Sequence, residues 1–219
     1  MSQRNTALAF GEYYHVYNRG VDRRTIFKDG ADYNRFTELL YLSNTELSVN
    51  VRNIRRTEPL IFDFEREQQL VYIGAYCLMP NHFHILLTPV KEGGVQEFMH
   101  KLLTAYSMYF NKRYERTGAL FQGRFKSKHA GADEYLKYLF SYIHLNPVKL
   151  IQGDWKQVGI QNVREAKEYL DTYRYSSLKD YFDTRVESKI IDPDKFPAYF
   201  LSKKEIDAEL LEWLNYEDI

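Results

Sequence analysis

A single cysteine, Cys77, stands in 219 residues, so no intrachain disulfide can form and no cysteine-rich zinc cluster can be built. No apolar run approaches the roughly 18 residues of a membrane span, which excludes a helical membrane protein. The opening Met1-Ser2-Gln3-Arg4-Asn5 has no signal-peptide core behind it. The expected setting is a reducing cytoplasm. Net charge is lacking as well, since 30 Lys and Arg balance 30 Asp and Glu. Internal repeats and low-complexity tracts are absent. What is there, 44% hydrophobic and 27% charged residues, suits one globular core with some chain left for an appendage.

The neutral total hides an uneven distribution. Between Lys101 and Lys128 stand Lys101, Lys112, Arg113, Arg116, Arg124, Lys126 and Lys128 against a single acid, Glu115. Smaller basic groups occur at Arg19, Arg23 and Arg24, and at Arg52, Arg55 and Arg56, whereas Asp207, Glu209, Glu212, Glu217 and Asp218 make an acidic tail. Such segregation permits a basic patch with interleaved aromatics, the footprint of a nucleic-acid partner, or solvated helix faces with no partner at all.

Tyr13 to Tyr17 reads as a first strand closed by Asn18-Arg19-Gly20. Asp32 to Ser48 carries Phe36, Leu39, Leu40 and Leu42 at helical spacing. Asn50 to Glu67 shows no period and is expected to be a loop. Val71–Met79 and His82–Val90 are apolar runs joined at Pro80-Asn81, the pattern of an antiparallel hairpin. A long amphipathic helix opens after Glu92-Gly93-Gly94, a short strand is expected from Leu120 to Lys128, and a helix runs from Asp133 to Asn146. The order β-α-β-β-α-β-α predicts an α+β, ferredoxin-like (RRM-like) sandwich: an antiparallel sheet with helices on one face. Residues 1–150 would form this domain. Weaker helices around 163–173, 176–182 and 202–214 predict a C-terminal helical extension over 151–219, available for DNA binding or regulation.

His82-Phe83-His84 lies in the second apolar run. Alternation on a strand points both imidazoles to one face and Phe83 to the other. Two imidazoles on an apolar strand cost desolvation free energy unless hydrogen-bonded or bound to a cation. They are therefore either satisfied core histidines or metal ligands.

On a helical wheel, Asp133–Asn146 separates into an aliphatic stripe of Leu136, Leu139, Phe140 and Ile143 and a second of Tyr135, Tyr138, Tyr142 and Asn146. Pro147 disfavours helical geometry at Asn146 and puts it at the helix end. The tyrosine stripe is packing, or chemistry on a flank whose core is already supplied. If that flank faces His82 and His84, two imidazole nitrogens and the Asn146 oxygen would hold a divalent cation with open positions, which suits Mg²⁺ or Mn²⁺. The open positions take phosphate oxygens, and Tyr142 becomes the attacking group, with Tyr138, one turn earlier, the alternative nucleophile.

Met79-Pro80-Asn81-His82-Phe83-His84-Ile85-Leu86 together with Tyr142-Ile143-His144-Leu145-Asn146-Pro147 resembles the single-tyrosine HUH transposases, and among them the REP-associated tyrosine transposase branch. Tyr14-His15-Val16-Tyr17-Asn18-Arg19-Gly20, Leu120-Phe121-Gln122-Gly123-Arg124-Phe125-Lys126-Ser127 and Tyr175-Ser176-Ser177-Leu178 also look like that branch, so the resemblance spans about Tyr13 to Tyr181. It implies a metal-dependent endonuclease and strand transferase for single-stranded or hairpin DNA. In it His82, His84 and Asn146 are ligands, and Tyr142 is the nucleophile that forms a 5′-phosphotyrosine. Storing the bond as a tyrosyl ester fits the absence of a P-loop. Many relatives carry an acid where this chain has His144, which could alter the charge of the site.

Arg124, Lys126 and Lys128, alternating on one strand, are expected on phosphates, joined by Arg113 and Arg19. His15 could reach the catalytic face or serve as a hydrogen-bonded structural residue. The expected location is then nucleoid-associated and the assembly a monomer or homodimer. The competing readings are a domesticated, non-catalytic single-stranded nucleic-acid-binding protein on the same scaffold, and a His-x-His metallohydrolase of small molecules. The second wants more downstream ligands than six histidines allow.

Overall fold

In a computed structural model that describes residues 8–182, 185–199 and 202–214, the sheet is four-stranded, in the order β2-β3-β1-β4. Its strands are β1 (Tyr14–Arg19), β2 (Val71–Met79), β3 (His82–Pro89) and β4 (Lys126–His129), and every pairing is antiparallel. Between β1 and β2 lie α1 (Gly30–Leu42) and α2 (Val51–Thr57); α3 (Gly94–Arg113) joins β3 to β4, and α4 (Asp133–Leu145) follows β4. The α+β ferredoxin-like class is what the sequence predicts.

Period-two alternation divides the residues of the sheet. Val16, Phe83, Ile85 and Leu87 face α1 and α3, where they meet Phe36, Leu40, Phe98, Leu102 and Tyr106 in a buried core. Ala75, Cys77, Met79 and Leu86 face the other way, onto Leu136, Leu139 and Ile143 of α4. Helices therefore cover both faces rather than the one expected, because the aliphatic stripe of α4 needs a surface and the exposed face of β2 and β3 supplies it.

Local chemistry sets the ends of these elements. Asp29 caps α1 by accepting from the backbone N–H groups of Ala31 and Asp32. The helix stops at Leu42, short of the expected Ser48, because the fully buried Asn44 turns its amide onto the backbone of Leu70 and Val71. Gly94 opens α3 where an added Cβ would lie 2.3 Å from the Leu70 carbonyl oxygen, a close approach only glycine permits. The expected loop after Asn50 holds α2, capped by the Asn50 side chain; it buries only Ile54, so it has no apolar period to read. The strand expected from Leu120 begins only at Lys126, which leaves Arg124 in the preceding bend.

After α4 the chain continues through a 3-10 turn, Asn146–Leu150, into α5 (Trp155–Val158), α6 (Val163–Thr172) and α7 (Lys203–Leu214). Of the helix expected over 176–182 only a 3-10 turn, Lys179–Tyr181, forms; just before it the chain lies along β2, with Leu78 N–H donating to the Tyr175 carbonyl and Ser177 N–H to the Tyr76 carbonyl. It covers the edge that β2 would otherwise expose. Of the acidic tail, Asp207 pairs with Lys167 and Glu209 with Lys137, while Glu217 and Asp218 lie outside the described residues.

Candidate active site

β1 and β3 are neighbours, with Tyr17 opposite His84 and His15 opposite Leu86, so His15, Tyr17, His82 and His84 lie on the α4 face of the sheet. His15 and His84 are both buried, and His15 Nε2 lies 2.8 Å from His84 Nδ1, one shared proton joining the two rings. His82 Nδ1 is 2.6 Å from the Asn81 side-chain oxygen, and the His82 and His84 rings stand edge to face with centroids 5.0 Å apart. Burial lowers the His82 pKa to about 4, with help from Lys149 and Arg19. His15 is likewise lowered to about 4 by burial and by Lys128. Both are neutral at physiological pH, the form in which imidazole binds a cation.

Tyr142 reaches this group from α4. Its ring meets His84 edge-on at 5.6 Å and His15 at 6.0 Å between centroids. Tyr138 lies one turn back, 5.8 Å from Tyr142, and Tyr135 stacks on Tyr138 at 6.0 Å, so the tyrosine stripe is a ladder leading away from the histidines. Burial, then the neighbouring Tyr138, raises the Tyr142 pKa. Asn146 is 1% exposed and donates through Nδ2 to the Tyr142 carbonyl at 2.7 Å. Contrary to the expectation from Pro147, Asn146 keeps helical dihedrals (φ −52°, ψ −38°). The proline occupies the start of the 3-10 turn, where its missing N–H costs nothing. Asn146 thus remains one clean turn below Tyr142.

The 3-10 turn also brings in a residue the sequence reading missed. Lys149 Nζ lies 3.5 Å from the Asn146 side-chain oxygen and 5.9 Å from the Tyr142 ring centroid, and burial lowers its pKa. The one signal for it is spacing, three residues past Asn146 and seven past Tyr142, and a proline between them hides it.

β4 flanks the site with base. Lys128 is opposite His15 and Lys126 opposite Tyr17, so both share the histidine face. Lys128 Nζ sits 4.3 Å over the Tyr135 ring. Beside His82 opens a recess of about 330 Å³ lined by Arg19, Arg23, Asn81, Gln122 and Lys126 among others, where Arg19 is hydrogen-bonded to the Gln122 side chain. Arg124 is exposed in the bend that precedes β4. Arg113 is not brought here. It sits at the end of α3, bonded to Asp29 and to the fully buried Asp32 at 2.7 Å each. His144 is also turned away. Fully buried, it pairs with Ser177 Oγ at 2.8 Å, and burial lowers its pKa to about 3, so it adds no charge to the site.

The donor set would suit a divalent cation: two imidazoles on one strand face, with the Nδ1 atoms of His84 and His82 engaged by His15 and Asn81, and an amide oxygen one turn from Tyr142. Among the described residues no group of three His, Cys, Asp or Glu side chains is arranged to hold a metal ion. Among these residues, too, no helix is long and apolar enough to cross a membrane.

A solved structure described as "REP associates tyrosine transposase bound to a REP hairpin" is similar at 15% identity and a TM-score of 0.47, covering 81% of this chain and 82% of that one. No curated protein matches. Residues 60–146 match the family described as "Transposase IS200 like", a stretch that begins before β2 and ends on Asn146. It contains His82, His84, Tyr142 and Asn146 together, and over this stretch the chain is similar to that family.

Proposed function

We propose that this protein cuts and rejoins single-stranded DNA through Tyr142, as a REP-associated tyrosine transposase acting on hairpin-forming DNA. The observation that carries the reading is the contact of the Tyr142 ring with His84 and His15, with Asn146 one turn away. Aromatic packing alone needs no buried pair of imidazoles at that point. His82, His84 and Asn146 would hold Mg²⁺ or Mn²⁺, which would supply Lewis-acid polarisation of a scissile phosphate.

In this mechanism Tyr142 Oη attacks phosphorus. A P–Oη bond forms, the P–O3′ bond breaks, and the phenolic proton ends on the departing 3′ oxygen. The products are a 5′-phosphotyrosine and a free 3′-OH. An incoming 3′-OH reverses the step, so rejoining needs no nucleotide cofactor. Because burial raises the Tyr142 pKa, the phenolate needs positive charge nearby, and Lys149 is within reach of the ring. Lys126, Lys128, Arg19 and Arg124 neutralise the flanking phosphates. Residues 1–150 are the catalytic domain in this reading, and described residues of the 151–219 extension brace α4 and the β2 edge.

The test mixes purified protein with end-labelled hairpin DNAs and Mn²⁺ or Mg²⁺ and looks for an SDS-resistant protein–DNA adduct. The expected adduct needs metal and is absent in Tyr142→Phe, while DNA binding persists. An adduct that survives Tyr142→Phe and is lost in Tyr138→Phe moves the nucleophile one turn back. Tight binding with no adduct on any DNA replaces the reading with that of a non-catalytic binding protein.

A further inference from the structure

On the face opposite Tyr142, where α1 and α3 pack, a cleft of about 560 Å³ lies between α1, α2 and α3. Arg35, Arg52, Arg55, Arg56 and Tyr109 line it, and no acidic residue belongs to its lining. Arg52, Arg55 and Arg56 recur at spacings of three and four on a seven-residue helix, so their guanidinium groups share one side and repel one another. Glu38 is the acid at its edge, and it is shared. Its carboxylate takes Arg55 at 2.6 Å and Arg35 at 3.3 Å. Among the described residues Arg52 and Arg56, both exposed, have no acidic partner. Arg35 is half-buried beside Tyr109, 5.1 Å from that ring, and both burial and the nearby Arg55 oppose its charge.

Nothing in the packing calls for this arrangement. α2 buries Ile54 alone, and the other arginine-bearing positions only add repulsion to a short helix. An outside anion with regularly spaced charges would relieve it, and Tyr109 adds a flat ring of the sort that sits beside sugar and base. A short strand engaged at Tyr142 cannot also fill a cleft on the far side of the sheet. From this charge array and its position we propose that the cleft is a second DNA contact, gripping backbone phosphates of the hairpin beyond the strand that Tyr142 attacks. The proposal rests on the DNA reading of the Tyr142 site.

The experiment measures affinity of the full-length protein for a short single strand and for a long-stemmed hairpin across a salt series. Three double variants are compared: Arg52→Ala/Arg56→Ala, Arg52→Lys/Arg56→Lys, and Lys203→Ala/Lys204→Ala, which removes equal charge from the exposed start of α7. For Arg52→Ala/Arg56→Ala the slope of log affinity against log salt on the hairpin is expected to fall by about 1.8, two phosphates at about 0.9 each. The lysine pair keeps the slope, the α7 pair keeps it too, and the short strand is bound as before. An unchanged hairpin slope in Arg52→Ala/Arg56→Ala overturns the proposal, as does an equal drop in the α7 pair, which would mean net charge alone. The SDS-resistant adduct on the short strand is scored in parallel. Loss of slope without any adduct in the unmodified protein refutes the catalytic reading and still supports the cleft.

Discussion

The two faces of one sheet differ in what they bury. Toward α1 and α3, β1 and β3 present Val16, Phe83, Ile85 and Leu87, all apolar and dry. Toward α4 the same two strands present His15, Tyr17, His82 and His84. The first face holds its place by area removed from water. The second must satisfy its polar atoms by partners, and it does so with a histidine–histidine bond, an asparagine–histidine bond and an asparagine turned back on its own helix. A strand that spends alternate positions on buried imidazoles gives up stabilisation on that side, which is tolerable only because the other side is closely packed. Stability and chemistry are thus divided between faces, residue by residue along β3, and substitutions at neighbouring positions should fail in different assays.

The largest expected effect is on chemistry. Tyr142→Phe should lower cleavage and adduct formation by on the order of 10⁴-fold or more, the scale seen when a nucleophile is removed. Its unfolding midpoint should stay near that of the unmodified protein, since a ring of the same shape remains. Large loss of stability together with activity would place Tyr142 in the core rather than at a site. Phe83→Ala and His84→Ala then sharpen the contrast one residue apart. Phe83 is fully buried against Phe36 and Phe121, and its truncation should cost roughly 3–5 kcal/mol in urea unfolding. His84→Ala should abolish calorimetric binding of Mn²⁺ and leave a folded protein. Equal destabilisation by both would erase the distinction between the faces.

Much of this division is visible in sequence because it follows from periodicity. Alternation alone separates His82 and His84 from Phe83, and a helical wheel alone separates Tyr142 and Asn146 from Leu139 and Ile143. What depends on register is hidden. His15 meets His84 through a pairing between strands nearly seventy residues apart, and no local pattern announces which residue lies opposite. α2 is invisible because one buried residue makes no stripe. Lys149 is masked by Pro147, which reads as a stop although the chain continues through it as a 3-10 turn. Arg113 reads as part of a basic block, and only the fold shows Asp29 and Asp32 holding it.

An intermediate effect comes from the boundary between α4 and the segment along β2. His144 is neutral there, with its pKa at about 3 against 6.5 for an exposed histidine. The unfolded chain therefore binds a proton near pH 6.5 that the folded one refuses until about pH 3. Stability contributed by neutral His144 is complete above pH 6.5 and declines as the pH falls toward 3. Urea unfolding of His144→Gln should show a shallower decline over that window than the unmodified protein. An identical pH profile would mean His144 is protonated or exposed in the folded state, and the α4 face would be looser than its packing suggests.

The smallest effect separates two basic residues that look alike in sequence. Lys128 is exposed on the histidine face and Arg113 is tied to a buried carboxylate between α1 and α3. Lys128→Ala should leave stability within about 0.5 kcal/mol, as surface changes do. It should reduce the salt slope of single-strand binding by about 0.7, one phosphate contact. Arg113→Ala should do the reverse. Asp32 still accepts from the Tyr109 and Tyr114 hydroxyls and the Lys28 N–H, so its charge is not stranded. The loss should be about 1–3 kcal/mol, the range for removing one partner from a buried polar group, with the single-strand slope unmoved. If Arg113→Ala lowers that slope as Lys128→Ala does, the single strand itself, and not only the hairpin beyond it, crosses to the α1–α3 side near the end of α3, and the division of single-strand contacts between the faces is lost.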